Sequence, residues 1–180
     1  MNRSFKTAFL MVALMVPTAI AQPPLVAVPE NIKVPDGHKL VATFGAKGVQ
    51  VYVAVKGESG NLEWKFEGPL AELTDVMSNK AGIHYYGPAW EATDGSVVFK
   101  PKDKIPKSAQ AKKPTDLPWL LLPVISDDAK MGTFSNVVYI QRLSTSGGMP
   151  PADLPKRVGS KIAVPYTATY TFWSKAKEAS

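Results

Sequence analysis

The sequence predicts an all-β protein, a single-domain antiparallel β-sandwich or barrel with long loops. Three observations predict it. Apolar residues recur with a period of two, Gly and Pro punctuate the segments at short intervals, and prolines or β-branched residues interrupt nearly every stretch with helical spacing. A sandwich and a barrel share this pattern, so both architectures stay open.

Residues 1–21 have the form of an export signal. Arg3 and Lys6 give a positive start, Ala8 to Val16 an apolar run, and Ala19-Ile20-Ala21 a small-x-small cleavage site ahead of Gln22. The run is shorter than the roughly 20 apolar residues of a membrane span. The expectation is export to the periplasm or the extracellular space, with no transmembrane segment. Residues 22–37 read as an extended proline-rich lead-in, 38–174 as one β domain and 175–180 as a C-terminal tail.

Within the domain, Val49, Val51, Val53 and Val55 share one strand face, and Gln50, Tyr52, Ala54 and Lys56 share the other. Gly57-Glu58-Ser59-Gly60 then turns the chain into a strand in which Leu62, Trp64 and Phe66 alternate with Glu63, Lys65 and Glu67, so a hairpin is expected. Further strands are expected at Ile83 to Tyr86, Ala89 to Ala92, Ser96 to Lys100, Trp119 to Ile125, Asn136 to Leu143 and Ile162 to Trp173, with Asp94-Gly95 as a tight turn. Pro69 to Val76 alone has the composition for a short helix, and residues 101–117 form the longest expected connection without structure.

The chain has no cysteine, so packing must hold the fold without disulfides. Thiolate catalysis, cysteine-ligated zinc and iron–sulfur clusters are excluded with it. There are 21 basic and 15 acidic residues, and losing Arg3 and Lys6 would take the net charge from +6 to +4. Lys100, Lys102, Lys104, Lys107, Lys112 and Lys113 lie in one stretch relieved only by Asp103. Such a stretch is either a solvated loop or an attractor for an anionic polymer or small anion. No aromatic residues interleave with the lysines to stack bases, so a nucleic-acid partner is not expected.

The polar residues most suggestive of chemistry are His84, Glu91 and Asp94, with Tyr85 and Trp90 among them. If Gly87-Pro88 makes a bend, His84 and Glu91 fall on successive strands and face one another as base and orienter, or as two metal ligands. A lone histidine with no second His or Cys nearby also suits a hydrogen-bonded structural role; no metal and no cofactor is expected. Ser96 follows Asp94-Gly95 but lacks a nucleophile elbow, and the run is explained by a turn. Arg142 shares a strand face with Val138 and Ile140. If that face is core, the guanidinium needs a partner, either Glu91 or Asp94 in an ion pair or a bound carboxylate or sulfate. Trp64 and Trp119 are assigned to packing, Thr167, Thr169 and Thr171 to a solvated outer face, and His38 to a turn without further role.

The run Gly82-Ile83-His84-Tyr85-Tyr86-Gly87-Pro88-Ala89-Trp90-Glu91 followed by Asp94-Gly95-Ser96 resembles an exported bacterial and fungal family, domain-of-unknown-function family 3455. Supporting stretches are Gly48 to Tyr52, Trp64 to Phe66, Pro118 to Leu122, Tyr139 to Leu143 and Val164 to Ala168, so the resemblance covers about Leu40 to Phe172. It implies that Ala54 and Pro155 stand where many members carry cysteines, which would bring strand 49–56 beside the loop before Lys161. Some fungal members are labelled malate dehydrogenase. A nicotinamide site of the usual kind needs a Gly-rich turn between strand and helix, and Gly45-Ala46-Lys47-Gly48 is not that motif.

The functional expectation is a secreted, non-catalytic binding or surface-associated protein. The alternative is a small secreted hydrolase or lyase with a His84/Glu91/Asp94 site and Arg142 as an anion clamp.

Overall fold

The computed structural model describes residues 26–176; the signal-like segment, the start at Gln22 and the last residues of the tail lie outside them. Ten strands run through the described chain: β1 (His38–Lys56), β2 (Leu62–Thr74), β3 (Lys80–Tyr85), β4 (Ala89–Ala92), β5 (Val97–Phe99), β6 (Lys107–Ala109), β7 (Trp119–Pro123), β8 (Ile125–Ser126), β9 (Val137–Gly147) and β10 (Lys161–Lys175). All pair antiparallel in one sheet of order β6-β7-β9-β10-β1-β2-β3-β4-β5-β8. The expected all-β antiparallel class is the one observed.

The ladder is open, ending at β6 and β8, yet β8 is drawn back to the other side of the sheet because it follows directly on β7. β7 and β8 are one run broken at Val124: Leu120 to Pro123 pair with β9, whereas Ile125 and Ser126 pair with β5. The Val124 amide donates to the Val138 carbonyl at 3.0 Å, and the Ser126 hydroxyl donates to the carbonyls of Phe134 and Val137. The sheet therefore curls around one apolar interior. Leu73 from β2, Trp90 from β4, Val98 from β5, Leu122 from β7, Ile140 from β9 and Phe172 from β10 all pack there. Phe134 stacks on Phe172 with ring centroids 4.4 Å apart.

The parity of β1 runs against its hydrophobicity. The valine row at 49, 51, 53 and 55 is only half-buried and faces outward, whereas Ala46, Gln50, Tyr52 and Ala54 face in. Tight curvature and close strand approach call for small residues on the concave side. At Gly48 an added Cβ would fall 2.1 Å from the Leu70 carbonyl oxygen, so that crossing with β2 admits only glycine.

The β1–β2 hairpin forms as expected, with Gly60 at φ 83° in its turn, and Gly95 takes the same conformation between β4 and β5. Pro69 to Val76 is not helical. β2 continues to Thr74 because its backbone groups are paired on both sides, with β1 and with β3, and Ala71 and Leu73 face the core; pairing overrides local composition. A register shift between Val51 and Tyr52 places an extra residue, Glu67, in β2, so that Phe66 and Pro69 reach the same side. The connection 101–117 is not wholly irregular either, since β6 lies within it and pairs with β7.

The lead-in also departs from expectation. A single 3-10 turn at Glu30–Ile32 lays Ile32, with no exposed surface, on the outer face of the sheet. There it packs with Trp119, Leu121 and Leu143, and with the half-buried Val28 and Val34. β7 is thus covered on both faces, which is why it reads as the continuous apolar run Trp119-Leu120-Leu121-Leu122. Gln141 ties this layer down: its Nε2 donates to the Ile32 carbonyl at 2.7 Å, while its Oε1 accepts from Thr171. Thr171 therefore leaves the solvated row in which Thr167 remains.

Candidate functional site

Inward residues of β1, β2, β3, β4, β7, β9 and β10 enclose a cavity of about 380 Å³. Its walls are mostly apolar, with Phe66, Pro69, Leu120 and Leu122 among them, and its polar groups are Gln50, Tyr52, His84, Lys100, Arg142 and Tyr170. That size and chemistry are typical of small-molecule sites. A larger hollow of about 770 Å³ opens at the start of β1 beside residues 124–138. None of the orphaned buried polar atoms described below belongs to a residue lining it.

β3 and β4 bring His84 and Trp90 side by side, because the register pairs His84 with Trp90 and Ile83 with Glu91. The imidazole lies flat on the indole, centroids 4.1 Å apart and planes 7° apart, and Tyr170 meets both rings edge-on. His84 Nδ1 is 2.8 Å from the Ala89 carbonyl, an acceptor, so Nδ1 carries the proton and Nε2 keeps its lone pair. Burial drives the His84 pKa down to about 3; the Ala89 bond opposes this and the charge of Arg142 adds to it. His84 is a neutral imidazole at physiological pH.

The same register separates the His84/Glu91/Asp94 group. Successive side chains of a strand point to opposite faces, so Glu91 lies on the outer face opposite Ile83, where it accepts a hydrogen bond from the Tyr85 hydroxyl at 3.1 Å. Burial, then Glu91, raises the Tyr85 pKa. Asp94 is exposed and works as a staple. One carboxylate oxygen accepts from the Ser96 amide and hydroxyl, the other from the Thr133 amide and hydroxyl, all at 2.6–2.9 Å. These bonds hold its pKa well below the usual carboxylate range. Ser96 is fully buried and accepts from the Phe134 amide, which is a structural role.

Arg142 does face inward beside Ile140, but neither expected carboxylate reaches it. Its Nε and Nη2 donate to one backbone carbonyl, that of Pro118, at 3.2 and 3.0 Å. The ion pairs among the described residues are Lys33–Glu30, Lys104–Asp103 and Lys161–Glu67, and none involves Arg142. The positive charge is felt throughout the cavity. Burial raises the pKa values of Tyr52, Tyr166 and Tyr170, and Arg142 pulls against it in each case.

Four buried side-chain atoms have no hydrogen-bond partner among the described residues: Gln50 Nε2, Trp90 Nε1 and Tyr170 Oη, on residues that line the cavity, and Tyr166 Oη, on a residue that does not. Tyr166 lies against Gln50 and Tyr170, and Tyr170 against Arg142, closely enough to influence ionisation but without hydrogen-bond geometry at those atoms. Tyr52 is satisfied, donating to the Gly148 carbonyl at 2.7 Å. Among the described residues no group of three His, Cys, Asp or Glu is placed to hold a metal, and no helix is long and apolar enough to cross a membrane.

The lysine stretch divides. Lys100 is half-buried at the cavity and donates to the Pro101 carbonyl, whereas Lys102, Lys104, Lys107, Lys112 and Lys113 are exposed. Trp119 packs under the lead-in; Trp64 is half-exposed and donates to the Asp153 carbonyl. Ala54 exchanges backbone hydrogen bonds with Ser160 and Gly159, so strand 49–56 does lie beside the loop before Lys161. Sequence reasoning passed over Gln50 and Leu122 as site residues. The available signal was a glutamine sharing a strand face with Tyr52 and Ala54.

A family model matches residues 35–174 of the chain. No curated protein matches it, and no solved structure does.

Proposed function

This chain belongs to the family described as "Protein of unknown function (DUF3455)", and within it we propose that the protein is an exported, non-catalytic binding protein that takes a small molecule into the cavity beside Arg142. The carrying observation is the cluster of orphaned atoms. An unsatisfied buried polar group costs about 1–3 kcal/mol, and three such groups, on Gln50, Trp90 and Tyr170, belong to residues lining one 380 Å³ space, where a bound molecule can offset that cost. Stretches that are far apart in sequence supply this one space: Gln50 and Tyr52, His84 and Trp90, Leu120 and Leu122, and Arg142.

The hydrolase or lyase reading draws no such support. Its three residues are split between the cavity, the outer face and the β4–β5 turn, and His84 has spent one nitrogen on a backbone carbonyl. Export rests on the signal-like residues 1–21, and N-terminal sequencing of the mature protein should begin at Gln22.

A thermal-shift screen of small molecules tests the binding reading. A true ligand raises the midpoint of the wild type and leaves Leu122→Trp unmoved, because the added indole fills the space. Turnover of a screened ester, glycoside or lactone that disappears in His84→Gln would instead establish the enzyme.

A further inference from the structure

We infer that the molecule bound in this cavity is an organic carboxylate, its anionic head on Arg142 and its apolar body against Trp90 and Leu122; the inference rests on reading the cavity as a binding site. Arg142 is always charged and is half-buried, and both of its protein hydrogen bonds go to the single Pro118 carbonyl. The rest of its five-donor fork is left for an acceptor with the geometry of a carboxylate. The second charged residue at the cavity, Lys100, is also a cation, and no Asp or Glu lines the space. Two cations without an acid favour an anion and disfavour a cationic or neutral ligand.

The orphaned groups point the same way. Of the lining residues, Gln50 Nε2 and Trp90 Nε1 can only donate, and the Tyr170 hydroxyl has a proton to give. Donors in excess call for a ligand rich in lone pairs. The apolar walls exclude the simplest anions, because inorganic phosphate or sulfate would leave Phe66, Leu120 and Leu122 facing empty space in a cavity of about 380 Å³. An acid with a ring or chain of roughly eight to ten carbons fills both halves, each buried methylene adding to affinity.

Calorimetric titration with matched acid and amide pairs tests this. 2-Naphthoate and 2-naphthamide represent a flat body, octanoate and octanamide a chain; the better acid tells an aromatic metabolite from a lipid-derived one. The expected result is that at least one acid binds ten times or more tightly than its amide, and that Arg142→Met removes this preference. Since the acid–amide comparison uses the wild type, it stands even if Arg142→Met does not fold. Amides binding as tightly as acids, with both blocked by Leu122→Trp, would overturn the carboxylate inference and leave the cavity reading intact. No binding by any of the four compounds, with a thermal-shift hit of another chemistry that Leu122→Trp abolishes, would overturn the carboxylate inference alone; no hit in either experiment would overturn both.

Discussion

The imidazole of His84 lies flat against the indole of Trp90, and the pair is sealed by Tyr170 standing edge-on to both. This contact decides what His84 is for. A ring stacked on one side, bonded through Nδ1 to a backbone carbonyl and fully buried is held as a neutral wall of the cavity, with a single acceptor, Nε2, remaining.

Acid should therefore destabilise the protein through His84. The folded pKa, about 3, lies below the unfolded value near 6.5, so between them the unfolded chain binds a proton that the folded chain refuses. Stability is full above about pH 6.5 and falls by up to roughly 1.4 kcal/mol per pH unit as pH drops towards 3. Urea melts of wild type and His84→Gln between pH 7 and 5, above the carboxylate range, should show a slope in the first and a flat line in the second. Parallel curves would mean that His84 is accessible to protons in the fold.

Removing an orphaned hydroxyl should strengthen the empty protein. Tyr166→Phe and Tyr170→Phe each delete a buried oxygen without a partner and should raise unfolding stability by about 1 kcal/mol, and Tyr170→Phe, at the cavity, should also weaken ligand binding. Tyr52→Phe is the control. Its hydroxyl donates to the Gly148 carbonyl, so its loss should cost about 1 kcal/mol. Equal losses in all three variants would show that the hydroxyls of Tyr166 and Tyr170 are satisfied.

Asp94→Ala should loosen the loop that precedes β9 rather than the cavity. It removes four hydrogen bonds, to Ser96 and Thr133, and is expected to cost about 1–2 kcal/mol after allowing for solvent screening at this exposed position. The contribution is present above the usual carboxylate pKa and is lost as pH falls through the depressed folded value. Hydrogen exchange should quicken at Thr133 and Phe134, with ligand affinity unchanged; a loss of affinity would tie Asp94 to the site after all.

Ile32→Ala should behave as a core substitution although it lies before the first strand. Its side chain is fully covered by Trp119, Leu121 and Leu143, so truncation is expected to cost about 2–4 kcal/mol. Denaturant unfolding measures this. A cost under about 0.5 kcal/mol would mean that the lead-in is only loosely docked.

Most strand positions were legible because alternation and turn residues are local signals, as Asp94-Gly95 and Gly57 to Gly60 illustrate. The helix expected at Pro69 to Val76 failed because hydrogen bonding on both edges of β2 comes from strands distant in sequence. His84 and Trp90 were legible as a pair worth notice, but Glu91 was grouped with them because adjacency in sequence hides the side of the sheet. For Arg142, alternation sets a shared face with Ile140 but not whether that face is inward, and the acidic partner expected for an inward position is absent because Glu91 and Asp94 are engaged elsewhere.

The residues alone determined that this chain folds as antiparallel strands without disulfides, since a period of two and the absence of cysteine are properties of the sequence itself. Only the tertiary structure decided which face of β1 is interior, and that Gln50, His84, Trp90, Arg142 and Tyr170 surround one space. The physical reason is that alternation defines two faces without naming the buried one. That choice belongs to the curl of the whole sheet, which turns the small and polar row of β1 to the concave side and leaves its valines outside.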